Sequence, residues 1–167
     1  MTPGKRVMLK VIEAVPDRLK QVIYLTPAAV QEKVLERLFN KIFYTHYTQG
    51  EMNFLTGRRA LIQVSDINLN FAITLEDRRL RIVSSDKEPD VCFRAGFHDL
   101  LLLAAGKTDP DSLFFRRRLL LSGDTELGLA IKNFLDRLET EKLFPFGMHR
   151  LLAGAADLLE ANRLQPI

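Results

Sequence analysis

Residues 108–139, TDPDSLFFRRRLLLSGDTELGLAIKNFLDRLE, constrain the fold of this chain more than any other stretch. They read as a turn, a short aromatic segment, a strand over residues 118–121, a tight turn at Ser122-Gly123-Asp124 and an amphipathic helix over 124–139. Glycine lets a strand reverse into a helix within a single step, because it accepts backbone angles that other residues avoid. Asp124 or Thr125 then caps the helix by accepting a bond from its free amides, and Glu126 in the first turn meets its dipole. The helix carries Leu127, Leu129, Ala130, Ile131, Phe134, Leu135 and Leu138, a larger apolar share than one packing face needs.

The hydrophobic period divides the rest of the chain. Val7, Met8, Val11, Ile12, Val15, Leu19, Val22 and Ile23 recur at three- and four-residue spacing, which predicts a helix over 5–23 that Pro16 ends or kinks. Thr26-Pro27 predicts the next start, a hydroxyl cap with proline at the first helical position. That helix runs to about Tyr44, with Val30, Val34, Leu35, Leu38, Phe39, Ile42 and Phe43 as its buried stripe and Glu32 and Glu36 on its polar side. From Arg59 the period changes to two. Ala60/Ile62/Val64, Leu69/Phe71/Ile73/Leu75 and Leu80/Ile82 alternate with more polar neighbours, as strands with one buried face do. Glu76-Asp77-Arg78 joins the last two as an antiparallel hairpin. A fourth strand over 90–95, a helix over 97–105 closed by Gly106, the block above and a last helix over 148–162 complete the order. The fold class is therefore α+β, with one five-stranded, largely antiparallel sheet covered by helices.

A chain of 167 residues fits one domain and can bury about 70% of its unfolded surface. With 47% hydrophobic and 27% charged residues it is globular in composition, and its longest apolar runs fall well short of the roughly 18 residues a membrane span requires. No secretory leader is legible, because Lys10 and Glu13 interrupt the apolar residues that follow Lys5 and Arg6. The single cysteine, Cys92, excludes an internal disulfide framework and fits a reducing cytoplasm. In a strand-like run it reads as an inert, buried thiol.

Catalytic chemistry finds no support. His46, His98 and His149 form no metal-binding spacing, and there is no nucleophile elbow or phosphate-binding glycine loop. Asp109 and Asp111 flank Pro110 as a turn or helix cap rather than as a paired acid and base. No catalytic residue, metal or cofactor is expected. Arg116, Arg117 and Arg118 beside Phe114 and Phe115 raise nucleic-acid binding, since bases stack on rings while cations track phosphates. The aromatics lie in an apolar run, however, there is no tryptophan, and a net charge of +3 is small for such a protein. No nucleic-acid partner is expected. The arginines have three other uses: exposure at a strand edge, pairing with nearby carboxylates, or contact with a lipid headgroup phosphate.

The helix FHDLLLLAA over 97–105 is apolar nearly all round and must be enclosed on several sides. A packed core with a hydrophobic dimer interface accounts for these faces, and so does an apolar cavity. Composition alone favours the first.

The words DPDSLFFRRRLLL and SGDTELGLAIKNFLDRLE resemble the sterol carrier protein 2 (SCP2) lipid-binding domains, and within them the bacterial ubiquinone-biosynthesis accessory proteins of the UbiT type. The similarity extends over roughly residues 25–140, which sets residues 1–24 apart as an amphipathic helical extension and 141–167 as a C-terminal helix packed on the same domain. The resemblance implies a non-enzymatic, cytoplasmic protein, peripheral at the inner membrane face, that holds an apolar ligand in a tunnel between sheet and helices. Ubiquinone, a prenylated intermediate or phospholipid would be the ligand, the hydroxylating enzymes of an oxygen-independent route the partners. A general phospholipid or fatty-acyl carrier and a lipid-free interaction scaffold are the alternatives. Phe71, Ile73, Phe93, Leu101, Leu129, Ile131, Phe134 and Leu135 are the candidate wall. Lys5, Arg6, Lys10, Arg18 and Lys20 give the N-terminal helix a basic face, which suits either contact with an anionic membrane or a lid over the tunnel.

Overall fold

The computed structural model describes residues 3–139 together with Ala153, Gly154 and Asp157, with side chains from Ala14 onward. Its strands are β1 (Ala60–Val64), β2 (Leu69–Glu76), β3 (Arg79–Val83), β4 (Val91–Ala95) and β5 (Leu119–Gly123). They form one sheet in the order β3-β2-β1-β4-β5, antiparallel throughout except for the central β1–β4 pair. The expected hairpin is β2–β3, closed by Asp77 and Arg78, both at positive φ, the geometry that matches the twist of a two-residue turn.

Register decides which face is buried. Ile62 lies beside Phe71 and Phe93, Ile73 beside Ile82, and Phe93 beside Leu121, so the alternating apolar residues of all five strands share one face. Gln63, Arg81, Arg94 and Ser122 fall on the other. Against the apolar face pack α2 (Ala28–Ile42), α3 (Tyr44–Thr48), a single 3₁₀ turn at Asn53–Leu55, α4 (Phe97–Ala104), α5 (Pro110–Phe115) and α6 (Thr125–Arg137).

Four expectations change. The N-terminal helix, α1 (Pro3–Leu25), runs through Pro16 without ending there. Proline already has a helical φ, so of the two outcomes expected there the 23-residue helix does not take the first, an end at Pro16. Thr26 does not cap α2. Its hydroxyl donates back to the Val22 carbonyl at 2.6 Å and finishes α1, while Pro27 occupies the cap position with no side-chain bond. The stripe of α2 is only half used: Leu35, Phe39 and Phe43 meet the core, whereas Val30, Val34 and Leu38 face outward. The reason is polar. Asn40 bonds both the carbonyl and the amide of Leu80, at 2.7 and 3.2 Å, and Glu36 accepts from the Ile82 amide at 3.2 Å. α2 therefore lies along the open edge of β3 and satisfies it, rather than crossing the sheet face. Lastly, β5 runs two residues further than expected, to Gly123, and the aromatic segment before it is helical, capped by Asp109 accepting from the Ser112 amide at 2.8 Å.

The helix expected over 148–162 lies outside the described residues apart from Ala153, Gly154 and Asp157, which are helical. Asp157 joins this segment to the body through Lys107 Nζ at 2.8 Å.

Asp124 caps α6 by accepting from the Leu127 amide at 2.9 Å, and its other oxygen receives Arg58. The Leu127 bond and then Arg58 hold this carboxyl below the usual aspartate range. A lowered acid contributes its stability in full above the unfolded value and loses it as pH falls through the folded one. Asp124→Ala should lower Tm by about 3–6 °C at neutral pH. The gap between variant and parent should close progressively below about pH 4 in thermal melts. Gly123 sits at φ +102 with the Asp90 carbonyl where a Cβ would stand, so Gly123→Ala should be the more damaging change.

Candidate functional site

Six rings from five separate segments meet beside α6. Phe71 of β2 packs edge-on to Phe39 at 5.6 Å between centroids, Phe39 leads to Phe43 at 5.8 Å, and Phe43 to Phe134 at 6.0 Å. Phe134 then touches Phe54 of the 3₁₀ turn at 5.8 Å and His46 of α3 at 5.5 Å. Tilted and edge-on pairs at these separations attract beyond simple area burial. The rings form a continuous apolar path from the sheet face to the surface.

At the surface end the path opens into a groove of about 410 Å³ between Ile42, Thr45, His46 and Glu51 on one side and Phe134, Arg137, Leu138 and Glu139 on the other. Its lining mixes apolar side chains, Ile42, Phe134 and Leu138, with polar ones, Thr45, His46, Glu51, Arg137 and Glu139. His46 Nδ1 lies 2.6 Å from Glu51 Oε2, which fixes the imidazole at the rim, and Arg137 supplies an exposed guanidinium opposite. The volume falls within the ordinary range of small-molecule sites. A second groove, about 480 Å³, lies under the end of α1 between Asp17, Lys20, Gln21, Ile23 and Tyr24 and the β1–β2 turn at Ile67 and Asn68.

The candidate wall divides on this structure. Phe71, Ile73, Phe93, Ile131 and Phe134 are buried in one cluster, and Leu135 packs against it. Leu129 does not: it is 51% exposed on the outer side of α6. Two residues of helix turn it about 200° away from Leu127, so it cannot share that face. Leu101 is half-buried outside the main cluster, to which α4 contributes Leu100 and Leu103 instead; Leu102 and Ala105 form a separate small cluster, so α4 is enclosed on more than one side. Sequence reasoning missed Phe43, Phe54 and His46. Phe43 was legible as part of the α2 stripe, but nothing local joins it to Phe134.

Of the basic set, Arg18 and Lys20 are exposed on α1, while the side chains of Lys5, Arg6 and Lys10 lie outside those described. Arg118 pairs with the buried Asp99, whereas Arg116 and Arg117 are exposed. Cys92 is half-buried beside Gln63, and desolvation pushes its thiol above the usual range, with Arg94 acting in the opposite sense. Among the described residues no group of three His, Cys, Asp or Glu is placed to hold a metal ion, and no helix is long and apolar enough to cross a membrane.

The burial of these candidates is testable by stability alone. Phe134→Ala should cost about 3–5 kcal/mol, because a buried ring in contact with three others leaves a cavity. Leu129→Ala should change stability by less than about 0.5 kcal/mol. Urea denaturation measures both.

Comparison with known proteins agrees with this fold. A solved structure described as a UbiJ-SCP2 ubiquinone synthesis protein superimposes with a TM-score of 0.53 at 17% identity, over 66% of this chain and 93% of that one. It shares the fold. The chain is 40% identical over 153 residues to the ubiquinone biosynthesis accessory factor UbiT of Escherichia coli K12, covering 92% of this chain and 87% of the relative. The UbiT protein of Escherichia coli O157:H7 aligns equally well. The SCP-2 sterol transfer family matches residues 36–136, so the sheet, the aromatic path and all of α6 but Arg137 fall within the match. An accessory factor in a transfer family is a non-catalytic kind of protein, and this chain is of that kind. The chain belongs to the SCP-2 sterol transfer family.

Proposed function

We propose that the protein is an accessory factor of ubiquinone biosynthesis that holds a polyprenylated quinone, or a ring intermediate on the way to it, for the hydroxylating enzymes of the oxygen-independent route. The observation that carries this reading is the unbroken run of rings from Phe71 to the groove at His46 and Phe134. It offers an insoluble tail a continuous apolar track, and it leaves a polar head at a rim bearing His46, Glu51 and Arg137. The similarity to UbiT supplies the pathway. Phe134, Leu135 and Leu138 close the cluster toward the groove, so the tail enters as α6 yields from α2 and α3 and a tunnel opens between sheet and helices. Each buried methylene contributes about 0.8 kcal/mol, which is ample to open a side-chain contact of this size. Phospholipid fits the same track and is the second ligand.

The N-terminal helix has two roles in this reading. Its second half roofs the second groove, over Ile67 and Asn68 and apart from the one at His46, and it exposes Val22, Tyr24 and Leu25 beside Arg18 and Lys20. An apolar edge flanked by cations suits the interface of an anionic leaflet, so the helix serves as a lid that engages the cytoplasmic face of the inner membrane as it opens.

Native mass spectrometry of the protein purified from quinone-producing cells tests the ligand. Ubiquinone or a prenylated intermediate should travel with it, and Phe134→Leu should reduce that occupancy while the fold persists. Phospholipid alone would mark a general carrier, and an empty, stable protein would mark an interaction scaffold. For the helix, deleting residues 1–24 should weaken flotation with anionic vesicles. Equal flotation would leave α1 a lid only.

A further inference from the structure

The turn that ends α5 is built to hold still. Pro110 and Leu113 are fully buried, the Arg117 amide donates to the Phe114 carbonyl at 2.9 Å, and the Arg118 amide donates to the Leu113 carbonyl at 2.8 Å. Arg118 is further tied to Asp99. On this fixed base stand two rings that do not join the core. Phe115 is 80% exposed and Phe114 46%, set edge to face with centroids 6.1 Å apart. Arg116 and Arg117 follow at once, both exposed, and among the described residues neither forms an ion pair.

Arg117 carries the most information. It stands at φ +57, just past the end of a helix, the position where glycine is favoured because it has no Cβ to strain. The strain there comes from the Cβ, as at Arg78 with the same φ, and among the described residues the exposed Arg117 guanidinium forms no ion pair that would use it within the fold. We infer that Phe114, Phe115, Arg116 and Arg117 form a docking surface for an anionic lipid bilayer. Covering two rings removes on the order of 300 Å² from water. That is well short of the roughly 800 Å² per partner a stable protein interface needs. Insertion of rings among headgroups has no such minimum, and the adjoining cations meet phosphate there. The inference requires no lipid in the core and stands apart from the proposed role of α1.

Flotation of the full chain with phosphatidylcholine vesicles, with and without phosphatidylglycerol, tests it. The parent should bind the anionic vesicles and release as salt is raised. Phe114→Ser with Phe115→Ser should reduce partitioning by at least about tenfold with the melt unchanged. Arg117→Gly should reduce it by about fivefold while Tm holds or rises, an outcome that loss of structure cannot produce. Either variant floating as the parent does would overturn the inference. So would a double serine variant that dissociates a dimer without changing flotation, since the rings would then belong to a contact between copies.

Discussion

One aspartate ties the two halves of the sheet to the helix that bears the site. The Asp90 carboxylate accepts from the Arg59 amide at 2.7 Å and from Arg58 Nε at 3.2 Å, and its own amide donates to the Arg59 carbonyl at 3.0 Å. Its carbonyl receives the Asp124 amide at 2.7 Å, and Asp124 in turn holds Arg58 and the first turn of α6. The starts of β1, β4 and α6 and the end of β5 thus meet at one point. The side chains there are more than a third exposed, so their Coulomb attraction is modest. What gives the junction its authority is direction: most of its bonds run to backbone groups and fix where each element begins. Gly128 adds the second constraint, since a Cβ there would press on the Leu121 side chain, and its absence lets α6 lie close on β5. With the start and the spacing fixed, Ile131 and Phe134 can only project into the cluster. The aromatic path depends on a knot about 15 Å away along the helix axis.

The opposite edge is finished by a different device, with consequences for shape. β3 has no further strand beside it, and an open edge invites pairing with another chain. Glu36 and Asn40 supply the missing partners from α2. To bring both polar residues to the edge, α2 turns Leu35 and Phe39 to the core and leaves Val30, Val34 and Leu38 outside. Edge protection and the exposed apolar stripe are therefore one fact. The groove at His46 lies beside the break between α2 and α3 at Phe43, where α3 and the end of α6 face each other.

Where a local pattern carries the physics, the sequence was readable. Period-two alternation located β1 to β3, because their large apolar residues share one face even where, as at Ala72 and Thr74 of β2, the other is covered too. Asp77-Arg78 fell between β2 and β3 as the turn. Gly123-Asp124 marked the strand-to-helix junction for the same reason: a cap and a positive φ are local requirements. Leu129 could also have been excluded in advance. Leu127, Ile131 and Phe134 keep the four- and three-residue spacing of one helix face, and Leu129 lies opposite. What no local pattern records is convergence. Phe43, His46, Phe54 and Phe134 meet only once four segments are packed, and the edge contacts of Glu36 look in sequence like any solvated carboxylate.

A lipid holder has to let go, and this bears on why its interior closes on itself. An apolar wall needs no directed bonds, so affinity for a long tail rises with length alone, by about 0.8 kcal/mol per methylene. Ten buried methylenes would give on the order of 8 kcal/mol before any cost of ordering, and a full polyprenyl tail far more, enough to trap it. In the proposed reading, side chains that pack on one another without a tail, as Phe134 does with Phe43, Phe54 and His46, would return part of that free energy to the empty state. Binding is then a difference between two apolar packings rather than a transfer from water to oil. The knot at Asp90 and the capped edge at β3 would keep the frame fixed if, as proposed, the contact between α6 and α2 opens for a tail. On this account rigidity belongs to the two ends of the sheet, and exchange to the ring cluster between them.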